Sequence, residues 1–465
     1  MGNLHRLHAR TDVGRVREHN EDNFYCDRAL GLYIVADGMG GHAAGEVASA
    51  LAVQSVAWAL QREKGLLRRF ADDDPEVEPE DVKNLLAQAV ATANASVHRE
   101  SMENAARRGM GTTLSALLLV GRRAFIAHVG DSRVYIVRGR EVRQLTEDHS
   151  VVNELRRRGR LKPEVLDKIP NKNAITRAIG VFENVEVDAW QFLAAPGDRF
   201  ILCSDGLHRY IDTEAELGSL VEGLTEEAAT ERLVDFANER GGADNVTVVV
   251  VGLPDEEHPQ VLAELRHGYQ TLSALPFFRH LEPRELMGVQ AIARTTVYGP
   301  GDVIIDEGST GESLFVILSG VCAVRKGDTE IARLGPGEHF GEMALVELAP
   351  RSASVVAEEE SRLLEIARTD LFKVLRESKD TGIKLLWNII TVLVARLRET
   401  STQLGEAREA LASEDLTAQL FLDEFREVIP DLNPPEDFPR DTIPVSSIGV
   451  STLVGYGDPR KRDGG

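Results

Sequence analysis

Residues 32–42 form the segment Leu32-Tyr33-Ile34-Val35-Ala36-Asp37-Gly38-Met39-Gly40-Gly41-His42, in which an apolar run is followed directly by an acidic, glycine-rich turn. An uninterrupted apolar run of this length is typical of a strand that is buried on both faces. Residues 200–203 and 246–251 have the same character, and each run also lies next to an aspartate. We therefore expect buried strands that carry carboxylates to one edge of a sheet.

Five short segments place a carboxylate beside Gly or Asn at the edge of such a strand. They are Asn20-Glu21-Asp22, Asp37-Gly38-Met39-Gly40-Gly41-His42, Gly130-Asp131-Ser132-Arg133, Ser204-Asp205-Gly206 and Ala243-Asp244-Asn245. Any one of them can be an ordinary turn, because Asp-Gly and Asp-Asn are common turn dipeptides. Together they favour a cation site, since clustered carboxylates repel each other unless protons or metal ions neutralise them.

The ligands that these turns offer are oxygen atoms only, because the sequence contains neither an HExxH segment nor a cysteine cluster. Oxygen ligands favour hard cations such as Mg²⁺ or Mn²⁺. We expect a site for two such ions, which together activate a water and stabilise its in-line attack on a phosphoryl group. Arg17, four residues before Glu21 in the chain, can hold the phosphate oxygens in a bidentate contact.

The fold around these turns is predicted to be a single domain over residues 4–253. Short β-branched runs alternate with helical patterns throughout this region. Neighbouring strands are separated by tight turns, at Gly121-Arg122-Arg123 and at Gly139-Arg140-Glu141. Such short connections are typical of β-hairpins and favour antiparallel pairing. The predicted fold class is α+β, with mostly antiparallel sheets packed between helices.

The composition of the whole chain excludes several classes of protein. Its 465 residues predict two or three domains. A formal net charge of −22 argues against nucleic acid as a partner, although the excess acid can be either solvated surface or part of a cation site. Three widely spaced cysteines, and the lack of a signal peptide or membrane-spanning run, predict a cytoplasmic protein without membrane contact.

Eight motifs follow one another in the order of a known family. They are Thr11-Asp12-Val13-Gly14-Arg15-Val16-Arg17-Glu18-His19-Asn20-Glu21-Asp22, Asp37-Gly38-Met39-Gly40-Gly41-His42, Gly111-Thr112-Thr113, Gly130-Asp131-Ser132-Arg133, Leu145-Thr146-Glu147-Asp148-His149-Ser150, Asn173-Ala174-Ile175-Thr176-Arg177-Ala178-Ile179-Gly180, Ser204-Asp205-Gly206-Leu207 and Asp244-Asn245-Val246-Thr247. This series resembles that of bacterial metal-dependent protein serine/threonine phosphatases of type 2C, over about residues 7–252.

The resemblance implies an α-β-β-α sandwich with two to three Mn²⁺ or Mg²⁺ ions at one end, which hydrolyses phosphoserine and phosphothreonine in proteins. The positions that match the family's metal ligands are Glu21, Asp22, Asp37, the Gly38 carbonyl, Asp131, Asp205 and Asp244. By this match Asp37 would bridge two ions, and Asp205 and Asp244 would complete the first site. The Gly38 carbonyl, together with Glu21 or Asp22, would serve the second site. Asp131 stands where bacterial members bind a third ion.

The same resemblance implies roles for two side chains that act on the substrate. Arg17 would hold the substrate phosphate, and His42 is the nearest candidate for the general acid that protonates the leaving oxygen. His42 can equally be a turn histidine, because Met39-Gly40-Gly41 separates it from the Asp-Gly pair that the acid histidine directly follows in animal members. One departure from the family is His208-Arg209, which replaces the usual Thr-Asp and leaves the matched ligands intact.

A second domain is indicated from residue 277 to about residue 367, where Gly and Pro recur between short β runs at the spacing of a small barrel. Within it, Phe340-Gly341-Glu342-Met343-Ala344-Leu345 and Pro350-Arg351-Ser352-Ala353-Ser354-Val355 place an acid and an arginine close together in the chain. A helix N-terminus with Arg351 can bind a phosphate, and Glu342 can accept from a ribose hydroxyl. The plainer alternative is a salt bridge on the surface of the barrel.

These two segments closely resemble the phosphate-binding cassette of cyclic nucleotide-binding domains, and the resemblance extends over about residues 275–400. It implies a jelly-roll-like β-roll with flanking helices that binds cAMP or cGMP as an allosteric ligand. Glu342 would bind the ribose 2′-hydroxyl and Arg351 the cyclic phosphate. The remaining cassette positions are Gly341, Met343, Ala344 and Ser352. Because the Ser352 hydroxyl can contact either the phosphate or a guanine amino group, the base preference stays open.

The motifs divide the chain into a phosphatase domain at residues 1–253, a linker at 254–274, a nucleotide-binding domain with its C-terminal helix at 275–411, and an acidic tail at 412–465. The tail is expected to be largely disordered after about residue 430. The helix expected over residues 383–411 has an apolar stripe made of Trp387, Ile390, Leu393, Val394 and Leu397. This stripe can pack within its own domain or form the seam of a homodimer.

The predicted function is a protein serine/threonine phosphatase that a cyclic nucleotide-sensing domain regulates. Expected partners are phosphoprotein substrates and the nucleotide, with a serine/threonine kinase as a further candidate. The alternative is a non-catalytic signalling scaffold that responds to cyclic nucleotide and binds phosphoproteins. Intact carboxylates at Asp37, Asp205 and Asp244 argue against the scaffold, because a protein without catalysis has no need to keep clustered charge.

Overall fold

The computed structural model describes residues 5–40, 44–157, 174–254, 259–346, 349–377 and 379–408. Within the chain there are two compact units, residues 1–263 and residues 264–465. The predicted tail at residues 412–465 lies outside the described residues. None of the helices in the described part of the chain combines the length and the apolar composition that crossing a membrane requires.

The strands of the first unit are β1 (Arg6–Asp12), β2 (Asp22–Asp27), β3 (Leu32–Met39), β4 (Gly111–Thr112), β5 (Leu114–Val120), β6 (Arg123–Val129), β7 (Arg133–Arg138), β8 (Glu141–Gln144), β9 (Asp188–Leu193), β10 (Arg199–Cys203) and β11 (Val246–Gly252). Its helices are α1 (Ala44–Arg62), α2 (Lys64–Ala71), α3 (Pro79–Glu103), α4 (Val151–Arg157), α5 (Asp205–His208), α6 (Glu214–Val221) and α7 (Glu226–Glu239), with a 3₁₀ turn at Ala105–Arg107. Several helices begin at local signals, since Pro79 opens α3 and the Thr213 and Thr225 side chains cap α6 and α7.

Two sheets form the centre of the first unit. One has the strand order β1-β11-β10-β7-β8, and the other has the order β2-β3-β5-β6-β9 with β4 attached to β3. The pairings of the described strands are antiparallel, and the turns between β5 and β6 and between β7 and β8 are the hairpins that the sequence predicts.

Apolar side chains pack between each sheet and its helices. In β3, Leu32, Ile34 and Ala36 belong to the core that this sheet shares with α1 and α3, so the alternate residues Tyr33 and Val35 face the other sheet. A second core joins β10 and β11 to α6 and α7. The observed layers are therefore helix, sheet, sheet and helix, which confirms the predicted fold class.

The strand order explains why the acidic turns meet. Asp22 and Asp37 are direct partners in the β2–β3 pair. Because β10 ends and β11 begins at the same end of their sheet, Asp205 and Asp244 lie together there. The turn that carries Asp131 leads from β6 in one sheet to β7 in the other.

The second unit contains β12 (Arg294–Tyr298), β13 (Val303–Ile305), β14 (Ser313–Ser319), β15 (Cys322–Lys326), β16 (Thr329–Leu334), β17 (His339–Phe340), β18 (Ser354–Ala357) and β19 (Ser361–Ala367). Helix α8 (Pro259–Ala274) leads into this unit, and a 3₁₀ turn (Pro276–Phe278), α9 (Pro283–Ile292), α10 (Met343–Val346), α11 (Arg368–Glu377) and α12 (Lys379–Arg408) follow. The strands form two antiparallel sheets of four, β12-β19-β14-β17 and β13-β18-β15-β16, as expected for a β-roll.

Strand β14 shows how the β-roll is held together. Phe315 and Ile317 belong to an apolar core with residues of the second sheet, whereas Leu314, Val316 and Leu318 belong to a core with the helices. This alternation is the two-residue period of a strand whose two faces are both covered.

The long C-terminal helix α12 packs through a different face from the one predicted. Its buried apolar residues are Leu385, Ile389 and Val392, which join the core with α9 and β14. In the predicted stripe, Trp387, Ile390 and Val394 are only half-buried and Leu393 is 36% exposed. The Leu397 side chain lies outside the described residues. The described part of the stripe therefore lies beside the most buried face of the helix, because a helical apolar period does not specify which of two neighbouring faces meets the core.

Candidate active site and nucleotide pocket

Asp22 is the most enclosed carboxylate of the acidic cluster, with 6% of its surface exposed. Its Oδ2 accepts hydrogen bonds from Ser204 Oγ and Thr247 Oγ1, both at 2.7 Å. Burial raises the pKa of Asp22 to about 7, against the effect of these two hydrogen bonds. The Asp22 carboxyl is therefore partly protonated at pH 7 unless a nearby cation stabilises its charged form.

Asp37 lies opposite Asp22, and its backbone is held by the Gly-Thr-Thr motif. The Asp37 amide donates to Thr113 Oγ1 at 2.9 Å, while the Asp37 carbonyl accepts from the Thr113 amide and from Thr112 Oγ1. Burial raises the pKa of the Asp37 carboxyl well above its ordinary value, and the charges of Asp22 and Asp205 raise it further. Raised pKa values at a carboxylate cluster are the mark of an uncompensated negative site.

Asp131 and Glu21 also belong to the cluster, since each interacts electrostatically with another of its carboxylates. Burial raises the pKa of Asp131 to about 7, and the charge of Asp205 acts in the same direction. The pKa of Glu21 is also raised by burial, although Arg17 opposes this shift. Each shift favours the neutral acid, so the free energy of ionising these groups falls when a cation binds.

The cluster fits a cation in the chemistry of its donors. Asp22 Oδ1, Asp131 Oδ1 and Asp205 Oδ1 are buried and have no hydrogen-bond partner among the described residues. Buried carboxylate oxygens of this kind are costly unless they accept from a donor or bind a metal ion. As the side chains stand, however, no three His, Cys, Asp or Glu residues in the described part of the chain converge to hold a metal ion.

Gly38 allows a very close approach of three backbone segments. The Gly38 amide donates to the Glu21 carbonyl at 3.1 Å. A Cβ atom on Gly38 would overlap the backbone oxygens of Gly45 and Glu21, and one on Gly45 would overlap the Glu21 carboxylate. Only glycine can therefore occupy these two positions without moving Glu21.

The loop that carries Arg17 is fastened to the start of β11 by Asn245. The Asn245 amide group donates to the carbonyls of Val13 and His19 at 3.0 and 2.9 Å, and its Oδ1 accepts from the Glu21 amide at 2.9 Å. Arg17 Nη2 donates to Asp244 Oδ2 at 2.9 Å, and about half of the Arg17 side chain is exposed. The arginine thus lies beside the carboxylates at the mouth of the site.

The departure from the family at residues 208 and 209 places two further side chains in the cluster. His208 is buried, and its Nε2 donates to the Asp131 carbonyl at 2.9 Å. Burial lowers the pKa of His208 to about 4, so the ring is neutral at pH 7. Arg209 Nη2 contacts Asp205 Oδ2 and lies 3.3 Å from Asp244 Oδ2.

Sequence reasoning missed the roles of five residues, three of which lie inside the quoted motifs and two of which directly follow one of them. They are Ser204, His208, Arg209, Asn245 and Thr247. The only available signal was a hydroxyl, amide or cationic side chain close to an aspartate in the chain. The candidate acid His42 lies outside the described residues.

The second unit contains a cleft that is partly open to solvent. Its lining includes the cassette positions Gly341, Glu342, Met343, Ala344, Arg351 and Ser352. Glu342 and Arg351 are 4% and 9% exposed, so the surface salt bridge considered above is not the arrangement found. A buried acid and a buried arginine in one cleft are suited to a polar ligand.

Arg351, which lines this cleft, is held by backbone oxygens. Its Nη1 donates to the Gly341 carbonyl at 3.1 Å and its Nη2 to the Ser313 carbonyl at 2.9 Å, whereas its buried Nε has no partner among the described residues. Burial lowers the pKa of the guanidinium, and Glu365 opposes this shift. The positive charge of Arg351 is therefore only partly compensated.

Comparisons with known proteins give a family for each of the two units. Residues 14–240 match the family described as protein phosphatase 2C, and residues 295–378 match the family described as cyclic nucleotide-binding domain. The protein phosphatase PhpP of Streptococcus pneumoniae is 38% identical over 253 residues, which are 53% of this chain and 97% of that protein. The serine/threonine phosphatase stp of Listeria monocytogenes is 39% identical over 253 residues, 53% of this chain and 95% of that protein.

A solved structure with the same extent of similarity is the serine/threonine phosphatase PstP/Ppp of Mycobacterium tuberculosis. It is 37% identical to this chain, covers 54% of it and 99% of the solved chain, and superimposes with a TM-score of 0.46.

The chain belongs to the protein phosphatase 2C family. More particularly, it is a protein serine/threonine phosphatase, similar to those of bacteria, whose catalytic domain is followed by a cyclic nucleotide-binding domain.

Proposed function

We propose that the acidic cluster of the first unit is the catalytic site and that Mn²⁺ or Mg²⁺ ions occupy it. The residues that would hold them are Glu21, Asp22, Asp37, the Gly38 carbonyl, Asp131, Asp205 and Asp244. When bound, such ions supply charge for the phosphoryl oxygens and lower the pKa of a water nucleophile. We propose that the site holds two ions and that a third ion binds beside Asp131.

The observation that carries this proposal is the set of three buried, unpartnered carboxylate oxygens on Asp22, Asp131 and Asp205. Nitrogen and sulfur ligands are lacking from the described cluster apart from His208, whose Nε2 is already used by the Asp131 carbonyl. An all-oxygen donor set is the kind that Mg²⁺ and Mn²⁺ prefer.

Arg17 is proposed to bind the substrate phosphate. Its guanidinium is half exposed at the mouth of the site and forms an ion pair with Asp244. A planar guanidinium can donate to two phosphate oxygens at once, which orients the phosphoryl group towards the carboxylates. For the leaving oxygen, His42 stays a proposal based on the sequence alone.

The nucleotide-binding domain is proposed to regulate hydrolysis, with cAMP or cGMP as the ligand. Glu342 would accept from the ribose 2′-hydroxyl, Arg351 would bind the cyclic phosphate, and Ser352 would contact the phosphate or a guanine base. Coupling requires that the nucleotide favour one of two conformations that differ in activity. A ligand with equal affinity for both conformations would not change the equilibrium between them.

The partners and the location follow from the same proposal. The substrates are phosphoproteins, and an associated serine/threonine kinase and a cytoplasmic location are proposed. A homodimer through the exposed side of α12 is proposed as well, since Ile383 and Leu386 are each 47% exposed there. The predicted domain boundaries at residues 253 and 275 are retained as proposals.

The experiment is phosphate release from a phosphothreonine peptide, measured on the full chain with Mn²⁺ present and with cAMP or cGMP titrated. Release that requires Mn²⁺ and changes with nucleotide supports both proposed sites and their coupling. Release that ignores both nucleotides would contradict the regulation, and no release under any condition would favour the non-catalytic scaffold.

A further inference from the structure

Arg209 forms ion pairs with Asp205 and Asp244, the two carboxylates that are proposed to complete the first metal site. A single nitrogen, Nη2, contacts Asp205 Oδ2 and lies 3.3 Å from Asp244 Oδ2. About a third of the Arg209 side chain is exposed, compared with 24% for Asp205 and 18% for Asp244. These ion pairs are thus partly shielded from solvent. Charges interact more strongly in such a place than at a fully exposed surface, because the local dielectric constant is lower.

The position of Arg209 follows from local structure. It comes directly after the short helix α5, four residues beyond Asp205, and this spacing places the two side chains on one face. Asp244 approaches from the start of β11, where its Oδ2 also accepts from Arg17 at 2.9 Å. One carboxylate oxygen therefore faces two guanidinium groups.

We propose that Arg209 is a tethered cation that neutralises Asp205 and Asp244 in the metal-free protein and that a divalent ion must displace. This inference rests on the proposed metal site. A metal ion and the guanidinium compete for the same oxygens, since each carboxylate oxygen that binds the ion loses its donor from Arg209.

The consequence is a reduced affinity for metal. In the wild-type protein the binding free energy of the ion is diminished by the loss of the Arg209 contacts and by repulsion between like charges. Arg209 thereby sets the concentration of free Mn²⁺ or Mg²⁺ at which the site fills. Once displaced, the arginine remains tethered beside the mouth of the site, close to Arg17.

The test is the equilibrium binding of Mn²⁺ to the full chain after removal of metal by a chelator, followed by calorimetry. We expect Arg209→Ala and Arg209→Gln to lower the Kd for Mn²⁺ about tenfold, which corresponds to about 1.4 kcal/mol. Arg209→Lys keeps the charge and should stay within about threefold of the wild type. Two neutral variants are included so that poor folding of one does not leave the outcome open.

A matched control is Arg232→Ala. Arg232 pairs with Glu239 at 3.2 Å on the exposed side of α7, so it has the same kind of ion pair without contact to the cluster. Its Mn²⁺ affinity should equal that of the wild type. A second readout is thermal unfolding without metal, in which Arg209→Gln should melt a few degrees lower than the wild type because Asp205 and Asp244 lose their counter-ion.

The outcomes separate this inference from the proposal beneath it. Wild-type binding of Mn²⁺ with an unchanged or weaker affinity in the neutral variants would overturn the role of Arg209 and leave the metal site standing. If the wild type and both neutral variants bind no Mn²⁺, the metal site itself is wrong, and the role of Arg209 fails with it.

Discussion

Ser204 Oγ donates a hydrogen bond of 2.7 Å to Asp22 Oδ2, and this contact joins the two central sheets of the catalytic unit. Ser204 directly follows β10 in one sheet, whereas Asp22 begins β2 in the other. Thr247, in β11, donates to the same oxygen at 2.7 Å. The two hydroxyls thus satisfy one oxygen of Asp22 and leave Oδ1 for another ligand.

Removal of this donor by Ser204→Ala should destabilise the protein by about 1–3 kcal/mol, because it withdraws a hydrogen bond from a buried carboxylate. The measurement is urea unfolding of the chelator-treated protein. Ser219→Ala, which removes a hydroxyl on the exposed surface of α6, should change the stability by no more than about 0.5 kcal/mol. Equal effects of the two variants would show that Ser204 does not support Asp22.

The raised pKa of Asp22 makes the metal-free protein sensitive to pH. Since the folded pKa is about 7 and the ordinary value is 3.8, the folded state binds the proton more tightly than the unfolded state. The contribution of Asp22 to stability is therefore present below about pH 4 and is lost as the pH rises to about 7. We expect Asp22→Asn to gain stability relative to the wild type across this interval.

The comparison between Asp22→Asn and the wild type is needed because buried histidines act in the opposite direction. Burial lowers the pKa of His128 to about 3 and that of His208 to about 4, so both destabilise the fold as the pH falls below 6.5. These contributions cancel in the difference between the two proteins. A difference in unfolding free energy that stays constant from pH 5 to pH 8 would contradict the raised pKa.

Asp37→Asn should lower phosphate release at least about 100-fold, because the proposed bridging carboxylate loses its charge. The same change should stabilise the metal-free protein, since it removes one of several like charges. Phosphate release with saturating Mn²⁺ and thermal unfolding without metal measure the two effects. Asp212→Asn on the exposed surface is the control, and it should alter neither. Retained hydrolysis in Asp37→Asn would remove Asp37 from the catalytic site.

Arg351→Ala should weaken cyclic nucleotide binding about 10- to 100-fold, the range expected for hydrogen bonds to a charged group. The measurement is nucleotide binding to the full chain by calorimetry, followed by nucleotide titration of phosphate release. Arg325→Ala, an exposed arginine of β15, is the control and should bind as the wild type does. A nucleotide effect on hydrolysis that persists in Arg351→Ala would contradict the proposed route of regulation.

Gly341→Ala should reduce nucleotide affinity, whereas Gly337→Ala should not. Both glycines have positive φ angles, +82° and +84°, so alanine costs about 1–2 kcal/mol of backbone strain at either position. A Cβ atom on Gly341 would lie 2.8 Å from Arg351 Nη1 and from the Ser313 carbonyl, while one on Gly337 has open space. If both variants lose similar stability but only Gly341→Ala loses nucleotide affinity, the loss is due to the contact with Arg351 and not to backbone strain. Equal nucleotide affinities of the two variants would contradict a role of this contact in binding.

The clustering of Asp37, Asp205 and Asp244 could be predicted because each of them stands within two residues of a mainly apolar run. Such runs must be buried, and a buried strand delivers its terminal residues to a sheet edge. The cassette around Glu342 and Arg351 could be predicted from its resemblance to a known family. Antiparallel pairing followed from the short turns after Val120 and Arg138, since a hairpin turn permits no other direction.

The packed face of α12 could not be predicted in this way. Apolar residues occur on more than one side of this helix, and Leu385, Ile389 and Val392 form the buried set. Periodicity gives the angle between apolar residues around a helix axis, but it does not give the direction in which the core lies.

Sequence alone determined the class of chemistry of this protein, because oxygen ligands, apolar strands and motif order are properties of the chain itself. Tertiary structure decided how the charges are paired. Arg209 lies at the Asp244 carboxylate, and Ser204 and Thr247 lie at Asp22, only because two sheets end at the same place. The physical reason is that electrostatic and hydrogen-bond energies depend on distance in space, and the distance between residues so far apart in the chain is fixed only when the sheets pack.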